Sequence, residues 1–547
     1  MRVRLVLAIA VILAPAAAFG ALGRVSFPVT GGEAARRHFV RGLLALHSFW
    51  YEEARDEFRA ATQAQPDFAM GYWGEALSFF HPVWGEEDVA AEKRALAAVP
   101  ARPQATPREL AYLEAARSLT GEGDFAAHAS RYREAMRALH QRFPDDDEAA
   151  ALYAVSILGT VDRKSPAYRS RAEAGALMLE LFARNPDHPG AAHYIIHAFD
   201  DPDHARLALP AARRYARIAP EAFHALHMPS HIFVHLGMWT GAAASNEAAW
   251  AASLAWVKRR KLDASLADLH SLSWLHAISL ELGDRRKANE VLARGRAVLS
   301  TAHQEHAWLR VDYLKMTLKN AVETDNFGDL DQKLAALESG AAPGDAGAAV
   351  AVGPKPDAAA GCHGAKETDD AQAVRRERGY RALLRAEAAL FAHDLGAAMK
   401  GADELRAPLT DEDRRRDDWR SMELVLRGRI AVARGNLDQG LKMIAEGADV
   451  EDQEAPSGPV DRGVTGRERL GEALLAAGRA RDALREFRRA LELHPRRARV
   501  LLGCARAATA AGDPGASSHW AELGAIWTAA NEDTPGLADV RRALGRH

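Results

Sequence analysis

Histidines are concentrated in one short window of the sequence, and this window is the strongest indication of chemistry in the chain. Eight of the 22 histidines lie in the 48 residues from His188 to His235, where an even distribution would place about two. Imidazole is the commonest metal-binding side chain of proteins and titrates closer to neutral pH than any other. The window therefore predicts a metal site.

The first pair in this window is His193 and His197, four residues apart in a stretch, 189–199, that the pattern predicts as a helix. Side chains at this spacing share one helix face with Cβ atoms ~5–6 Å apart, so two ring nitrogens can converge on one ion. For zinc the nitrogen–metal distance would be ~2.0–2.1 Å. Asp200 follows at the predicted helix end and is the nearest carboxylate that could join them.

A second group follows at offsets of 0, 3, 7 and 11 residues: His224, His227, His231 and His235. Pro229 interrupts this group, and proline is tolerated in the first turn of a helix but not in its interior. We therefore expect a turn that carries His224 and His227, then a helix that begins at Pro229 and carries His231 and His235. Such a break lets ligands from two short elements face each other.

His270 lies one predicted helical hairpin later, two residues after Asp268. In arrays of helical hairpins the first helix of each hairpin lines the concave face. His193/His197, His231/His235 and His270 fall on three successive first helices, so their rings can meet in one groove. The six candidate metal ligands are His193, His197, His224, His227, His231 and His270.

The residue types restrict which ion and which reaction this site could serve. An imidazole-rich set suits zinc, copper or iron and argues against calcium and magnesium, which prefer oxygen ligands. The chain has no His-Glu-x-x-His motif, so the usual metalloprotease arrangement is excluded. Glu75, Asp200 and Asp268 are candidate acid–base groups, although the sequence does not distinguish them from surface or capping carboxylates. It leaves open whether the protein is an enzyme.

Other interpretations of the histidines stay open. They could line a groove for a peptide or an anion, or they could be core residues that bind nothing. We expect His188 and His204 to lie in loops and His235 to face solvent. Four aromatic and histidine residues of the first two repeats favour hairpin packing over ligand binding: His47, Trp50, His81 and Trp84.

Composition favours helices and excludes some classes of partner. The 547 residues are rich in alanine, leucine, arginine and glutamate, aromatic residues make up 7%, and so long a chain must form several domains or an extended solenoid. With 71 basic and 74 acidic residues the formal charge is −3, so no basic field predicts nucleic acid as a partner.

Two stretches share one internal spacing, with intervals of 12, 4, 3 and 5 residues. They are Gly42, Ala54, Phe58, Ala61, Pro66 and Gly471, Ala483, Phe487, Ala490, Pro495. This spacing matches the 34-residue tetratricopeptide repeat. Small Gly and Ala residues let the two helices of a hairpin approach closely, the Phe fills the gap towards the next hairpin, and the Pro ends the second helix.

We therefore predict an all-α solenoid of tetratricopeptide-type helical hairpins, in two lobes joined by a flexible linker. The N-terminal lobe, residues 33–337, carries the histidines. Residues 338–368 are rich in Gly, Ala and Pro and are the predicted linker. The C-terminal lobe spans residues 369–547.

The N-terminus predicts export. Arg2 and Arg4 precede an apolar run, and small residues follow up to Gly20, which is typical of a secretory signal peptide over residues 1–20. We expect a periplasmic or secreted protein with no membrane span after cleavage. Cys362 and Cys504 are the only cysteines, so a single disulfide is possible, but their spacing does not establish one.

The histidine window resembles a group of exported bacterial tetratricopeptide-repeat proteins that carry His-Tyr-x-x-His followed by His-x-x-His-Met-Pro-Ser-His-Ile. The matching residues are His193-Tyr194, His197, His224, His227 to Ile232, Asn246, His270 and the segment Tyr72 to Ala76. The resemblance spans Phe39 to Gly283 and implies a shared fold and a shared site. It implies no particular reaction.

The sequence thus predicts a tetratricopeptide-repeat protein with a histidine-rich transition-metal site in its concave groove. The alternative is a scaffold that holds a peptide or a protein partner in that groove without metal. A metal site needs buried imidazoles, each with a partner that fixes its tautomer, whereas a scaffold needs an open groove with polar anchors.

Overall fold

A computed structural model describes residues 22–161, 168–302, 307–330, 333–334, 337, 367–407, 417–453 and 463–545. Within these residues the fold is all-α, and the one pair of strands is β1 (Phe80–His81) with β2 (Glu86–Glu87), antiparallel and two residues long each. The predicted signal peptide, most of the predicted linker and Cys362 lie outside the described residues. Cys504 is buried.

Consecutive helices pack side by side as hairpins along the chain. The first twelve are α1 (Glu33–His47), α2 (Tyr51–Ala64), α3 (Ala69–Leu77), α4 (Val89–Ala97), α5 (Pro107–Arg117), α6 (Phe125–Arg142), α7 (Asp147–Gly159), α8 (Tyr168–Arg184), α9 (Pro189–Ala198), α10 (Ala205–Ile218), α11 (Phe223–His227) and α12 (Pro229–His235).

The remaining helices continue this pattern to the C-terminus. They are α13 (Trp239–Arg260), α14 (Leu269–Glu281), α15 (Arg285–Thr301), α16 (Ala307–Thr324), α17 (Glu367–Phe391), α18 (Leu395–Arg406), α19 (Asp417–Ala433), α20 (Leu437–Glu451), α21 (Gly466–Ala476), α22 (Ala480–Leu493), α23 (Ala498–Ala511), α24 (Ala516–Ile526) and α25 (Leu537–Ala543).

The repeat spacing has the predicted packing role. The fully buried ring of Phe58 in α2 lies between Gly42 of α1 and Gly74 of α3, where an added Cβ would come within 2.9 and 2.3 Å of the ring. Phe487 of α22 lies between Gly471 and Gly503 in the same way, at 2.7 and 2.4 Å. Each Phe therefore joins its own hairpin to the next one, and only glycine lets the flanking helices come this close.

The C-terminal repeats pack back onto the middle of the chain. Trp239 of α13 and Trp274 of α14 share one apolar cluster with Leu501 of α23 and Trp527, which follows α24. The indole N–H of Trp527 donates to the Glu281 carbonyl at 3.0 Å, and that of Trp239 donates to the Arg496 carbonyl at 3.0 Å. The predicted division into two lobes stays a prediction, and its linker overlaps the start of α17 at residues 367–368.

Buried charges reinforce the same contact. The Arg497 guanidinium, at the start of α23, pairs with Glu281 of α14, with Glu323 of α16 at 2.7 Å and with Glu468 of α21 at 2.5 Å. All four side chains are buried or nearly so. One arginine thus ties together four helices that are far apart in the sequence. Among the described helices, none is both long and apolar enough to cross a membrane.

Candidate metal centre

Four helices bring the six predicted ligands together. His193 and His197 lie on α9, His224 and His227 on α11, and His231 on α12. The sixth, His270, lies in the first turn of α14. The ring nitrogens form two groups of three, within each of which the ligand atoms lie within 4.8 Å of one another. We call these the first triad (His193, His197, His224) and the second triad (His227, His231, His270).

The backbone between α11 and α12 differs from the prediction. A turn was expected to carry His224 and His227, but both lie in the short helix α11. Met228 keeps right-handed helical angles, with φ −53° and ψ −35°, so the chain continues almost as a helix into Pro229. The predicted helix that begins at Pro229 and carries His231 and His235 is confirmed. Only the predicted turn is wrong, because Pro229 removes one backbone donor without forcing Met228 out of the helical region.

In the first triad the three Nε2 atoms converge. The Nε2 atom of His193 lies 3.0 Å from that of His197 and 3.2 Å from that of His224. His193 is completely buried, His224 is nearly so, and His197 is half-buried. The Phe49 ring packs against all three imidazoles, with centroid distances of 4.3, 5.5 and 5.7 Å.

Phe49 adopts a backbone conformation that is unusual for its residue type. Its φ is +53°, in the left-handed region that a bulky L-residue rarely adopts. Strain of this kind persists where the surroundings impose it, and it is concentrated at functional sites. Here it directs the ring of Phe49 onto the first triad.

In the second triad the Nε2 atoms of His227 and His231 lie 3.0 Å apart. The ring centroid of His270 lies 4.8 Å from that of His227. Trp274, one helical turn after His270, stacks on His231 with a centroid distance of 4.4 Å. His227 is buried, whereas His231 and His270 are half-buried, so the triad reaches solvent on one side.

Three of the six rings have their Nδ1 atoms held by acceptors. The Nδ1–H of His193 donates to the His47 carbonyl at 2.7 Å, and that of His227 donates to Asn246 Oδ1 at 2.7 Å. The Asn246 amide is oriented because its Nδ2 donates to the Ala242 carbonyl at 2.9 Å. A neutral imidazole with a proton on Nδ1 has its lone pair on Nε2. The Nε2 atoms of His193 and His227 are therefore acceptors.

The third such ring is His231, whose Nδ1–H donates to Asp200 Oδ2 at 2.8 Å. Asp200 accepts a second hydrogen bond from His235 Nε2 at 3.0 Å. Burial alone would raise the pKa of Asp200, but His231 and His235 hold it well below its ordinary value. Asp200 is therefore a carboxylate, which can only accept, so Nδ1 of His231 carries a proton. When that is the only proton on the ring, the lone pair of His231 is on Nε2.

With one proton on each ring, the Nε2 lone pairs of His227 and His231 face each other 3.0 Å apart. Burial, together with His231, lowers the pKa of His227 to about 3, so His227 does not supply a proton to this contact at neutral pH. A proton on Nε2 of His231 would remove the repulsion between His231 and His227, but it would not engage the third ring, His270. A metal cation accepts lone pairs from all three rings, because imidazole nitrogen is a good ligand for transition metals.

A third group of metal-binding residue types is fully buried, and the sequence did not predict it. It comprises His47, Glu148 and His188. His188 Nδ1 accepts the Ala191 N–H at 3.1 Å, so its Nε2–H donates to Glu148 at 3.0 Å. His188 lies in the loop before α9, as expected, and it caps the N-terminus of that helix.

The same reasoning fixes the protons on His47. Its Nδ1 atom accepts from the Tyr194 hydroxyl at 2.9 Å, and its Nε2–H donates to Glu148 at 2.6 Å. Burial alone would raise the pKa of Glu148, but His47 and His188 hold it below its ordinary value. Protons satisfy every ring nitrogen of this group, which distinguishes it from the two triads. Glu148 lies about 100 residues after His47, and no local spacing could have linked them.

The other predicted residues have separate roles. His235, expected to face solvent, is buried against Asp200 because that carboxylate needs a second donor. His204 lies in the turn before α10, as expected for a loop residue, and its Nδ1 contacts Asp201 at 2.8 Å.

The predicted acid–base candidates have structural roles. Asp268 caps α14 by accepting the Ser271 N–H at 3.1 Å, and Glu75 pairs with Arg59 at 2.7 Å. Asp200, also a predicted acid–base candidate, contacts the second triad through His231.

The aromatic and histidine residues of the first repeats mostly pack, as expected. His47 and Trp50 are buried, and Tyr51 stacks on His81 with a centroid distance of 3.8 Å. Trp84 is half-exposed, and its ring lies edge-on to His224 at 5.8 Å. Trp84 therefore borders the first triad on the side that reaches solvent.

Comparison with known proteins gives a match for one part of the chain. Residues 474–524 match the tetratricopeptide-repeat family. No curated protein matches the sequence. Together with the packing of Phe58 and Phe487, the match agrees with an all-α solenoid of tetratricopeptide type.

Several solved structures are similar at low TM-scores. The human IFIT1 dimer with m7Gppp-AAAA is 10% identical, covers 92% of each chain and has a TM-score of 0.35. Yeast Tom70 is 10% identical, covers 93% of this chain and 96% of its own, and has a TM-score of 0.28. The TPR domain of P58(IPK) is 12% identical, covers 87% and 98%, and has a TM-score of 0.22.

Proposed function

We propose that this chain is an exported tetratricopeptide-repeat protein that binds a transition metal, zinc, copper or iron, at the histidines of its two triads. The single observation that supports this most strongly is the convergence of three imidazoles in the second triad, where the Nε2 atoms of His227 and His231 lie 3.0 Å apart and His270 completes the set. Nitrogen lone pairs that face each other at this distance repel, and a metal cation bound by all three rings removes that repulsion.

The distances suit such an ion. Zinc with nitrogen ligands at about 2.0–2.1 Å in a tetrahedron has its ligand nitrogens about 3.3–3.4 Å apart. The shortest Nε2 separations are 3.0 and 3.2 Å in the first triad and 3.0 Å in the second. Small ring rotations would bring either set to the ideal spacing. Six imidazoles also match the ligand preference of copper and iron.

The hydrogen bonds behind the rings support the same function. Metal-binding histidines almost always donate their second ring N–H to a carboxylate, a carbonyl or a similar acceptor, which fixes the tautomer and the orientation. His231 has Asp200, His227 has Asn246, and His193 has the His47 carbonyl. A groove that binds a peptide would instead need these ring N–H groups on its surface.

The partial exposure of the triads bears on whether a bound metal could also take a water molecule or a substrate. Three histidines leave a fourth coordination position for water or substrate. His197, His231 and His270 are half-buried, so solvent reaches part of both triads. This arrangement suits a metalloenzyme as well as a metal carrier.

Elemental analysis of the full chain, purified without a histidine tag, tests the proposal. We expect near-stoichiometric zinc, copper or iron in the wild type and loss of that metal in the His193→Ala/His231→Ala variant. His38→Ala/His204→Ala is the matched control, because it also removes two imidazoles, both from part-exposed positions outside the triads. We expect the control to keep its metal.

The opposite result favours the scaffold interpretation. Wild-type protein that is free of metal, and that stays so after incubation with each ion and dialysis, would contradict the proposal. A tetratricopeptide groove that binds a peptide or a protein partner would then be the better explanation of the fold.

A further inference from the structure

We propose that the two triads hold two ions side by side, one per triad, and that the second triad fills first. This inference rests on the proposed function, because it concerns how many ions the same histidines bind and in which order.

The first step is that the six rings have two separate points of convergence. His193 Nε2 has its two close nitrogen neighbours within the first triad, and His227 Nε2 has His231 within the second. Three nitrogens around one point form a complete site for an ion that leaves one position open. A single ion shared by both triads would leave one of the two points unfilled.

The second step is that the two sites are neighbours. His224 belongs to the first triad and His227 to the second, and both lie on α11 with ring centroids 6.2 Å apart. An ion at ~2.0–2.1 Å from Nε2 lies about 3.3 Å from the centroid of its ring. The two ions are therefore separated by at most about 13 Å.

The third step is that the triads differ in their supporting groups. The second triad has the Asp200 carboxylate directly behind His231, whereas in the first triad a neutral carbonyl lies behind His193. A carboxylate raises the basicity of the histidine it contacts, and its charge offsets that of the bound cation. The second triad should therefore bind the first equivalent of metal.

The fourth step is that the third group takes no ion. Glu148 accepts from both His47 and His188, and the other nitrogen of each ring accepts from Tyr194 or Ala191. A metal would have to displace protons that already satisfy every ring nitrogen. The expected number of ions is two per chain rather than three.

Titration of the metal-free full chain with Cu(II), followed by isothermal calorimetry and electron paramagnetic resonance, tests this inference. We expect two ions per chain with different affinities. The first equivalent should give the spectrum of an isolated Cu(II). The second should broaden that spectrum, because two paramagnetic ions at this separation interact magnetically.

Variants assign the two steps. Asp200→Asn should weaken the tighter step about 10–100-fold and leave the weaker one unchanged, because outer partners of metal ligands contribute about that much to affinity. His197→Ala should abolish or weaken the weaker step alone, and His204→Ala is the control that should change neither. Circular dichroism of each variant shows whether it is folded. If a variant does not fold, the titration of the wild-type chain still tests the number of ions and their separation.

Several outcomes would overturn the inference. One ion per chain, two ions whose signals do not broaden each other, or loss of the weaker step in Asp200→Asn would each contradict it while leaving metal binding intact. A chain that binds no Cu(II), Zn(II) or Fe(II) would instead contradict the proposed function.

Discussion

At the scale of single residues, His276 shows what burial alone does to an imidazole. It lies on α14, outside both triads, and is completely buried. Its Nε2–H donates to Asn320 Oδ1 at 3.2 Å. The amide of Asn320 has this orientation because its Nδ2 donates to Asn289 Oδ1 at 3.2 Å. Burial lowers its pKa to about 4. The same physical effect keeps His193, His224 and His227 neutral and ready to bind metal.

His276 should make α14 sensitive to acid. Its pKa is below the unfolded value of 6.5, so the unfolded chain binds the proton more readily. Its contribution to stability is present above pH 6.5 and is lost as pH falls towards 4. Between pH 7.5 and 5 we expect the loss of about 2 kcal/mol in the free energy of local unfolding.

Hydrogen exchange of α14 amides in the metal-free protein measures this loss, since exchange reports local opening. The control variant His276→Gln lacks the titrating ring and should lose about 2 kcal/mol less between the two pH values. An equal loss in the two proteins would show that the acid sensitivity of α14 has another origin.

At the scale of helices, the approach of neighbouring hairpins depends on glycines that face a phenylalanine. A Cβ on Gly503 of α23 would lie 2.4 Å from the Phe487 ring, whereas one on Gly295 of α15 would meet its nearest atom at 3.5 Å. Gly503→Ala should therefore destabilise the C-terminal repeats by about 1–3 kcal/mol through overpacking.

Gly295→Ala is the matched control, because it adds the same methyl group to a helix that has room for it. It should leave stability unchanged or raise it by about 0.5–1 kcal/mol, since alanine favours a helix over glycine. Urea denaturation followed by circular dichroism compares the two. If Gly503→Ala is as stable as the wild type, the close packing around Phe487 is not required.

The helix scale is also where the sequence was most informative. Gly237, Gly283 and Gly435 follow the ends of α12, α14 and α19 with φ of 63°, 70° and 87°, and a glycine after an amphipathic run is a helix-end signal that the sequence itself shows. The spacing of His193 and His197 likewise placed both on one face of α9, because spacing within a helix is local information. The sequence therefore predicted the all-α hairpin fold and the grouping of the six histidines.

The groups that orient the rings could be predicted only in part, because Asp200 was a candidate for the site but its contact with His231 was not predicted. The His47 carbonyl lies 146 residues from His193, and Asp200 lies 31 residues before His231. Contacts at such separations depend on how hairpins stack, and a single sequence shows no periodicity for them. The burial of His235 was missed for the same reason, because its partner is Asp200 on another element.

At the scale of the whole molecule, Arg497 joins helices from distant parts of the chain, and Glu281 lies 216 residues before it. Removing it would leave Glu281, Glu323 and Glu468 buried without their shared cation. Breaking a buried ion pair from one side costs about 3–5 kcal/mol. Arg497→Ala should therefore loosen the contact of the C-terminal repeats with α14, and limited proteolysis of the folded protein should cleave them faster.

Arg541→Ala is the control for that experiment. Arg541 pairs with Glu532 at 2.6 Å on the surface, where an ion pair contributes about 0–1 kcal/mol. We expect its proteolysis pattern to match that of the wild type. Equal resistance of Arg497→Ala would mean that apolar packing alone holds the C-terminal repeats in place.

Trp274 contacts both the second triad and the C-terminal repeats. One face of its indole lies on His231, while the same side chain belongs to the apolar cluster that holds Leu501 and Trp527. If a metal bound at the second triad strengthens the docking of the last helices through Trp274, then by thermodynamic reciprocity that docking strengthens metal binding by the same factor. A chain that ends before Leu501 would in that case bind the ion less tightly than the intact chain.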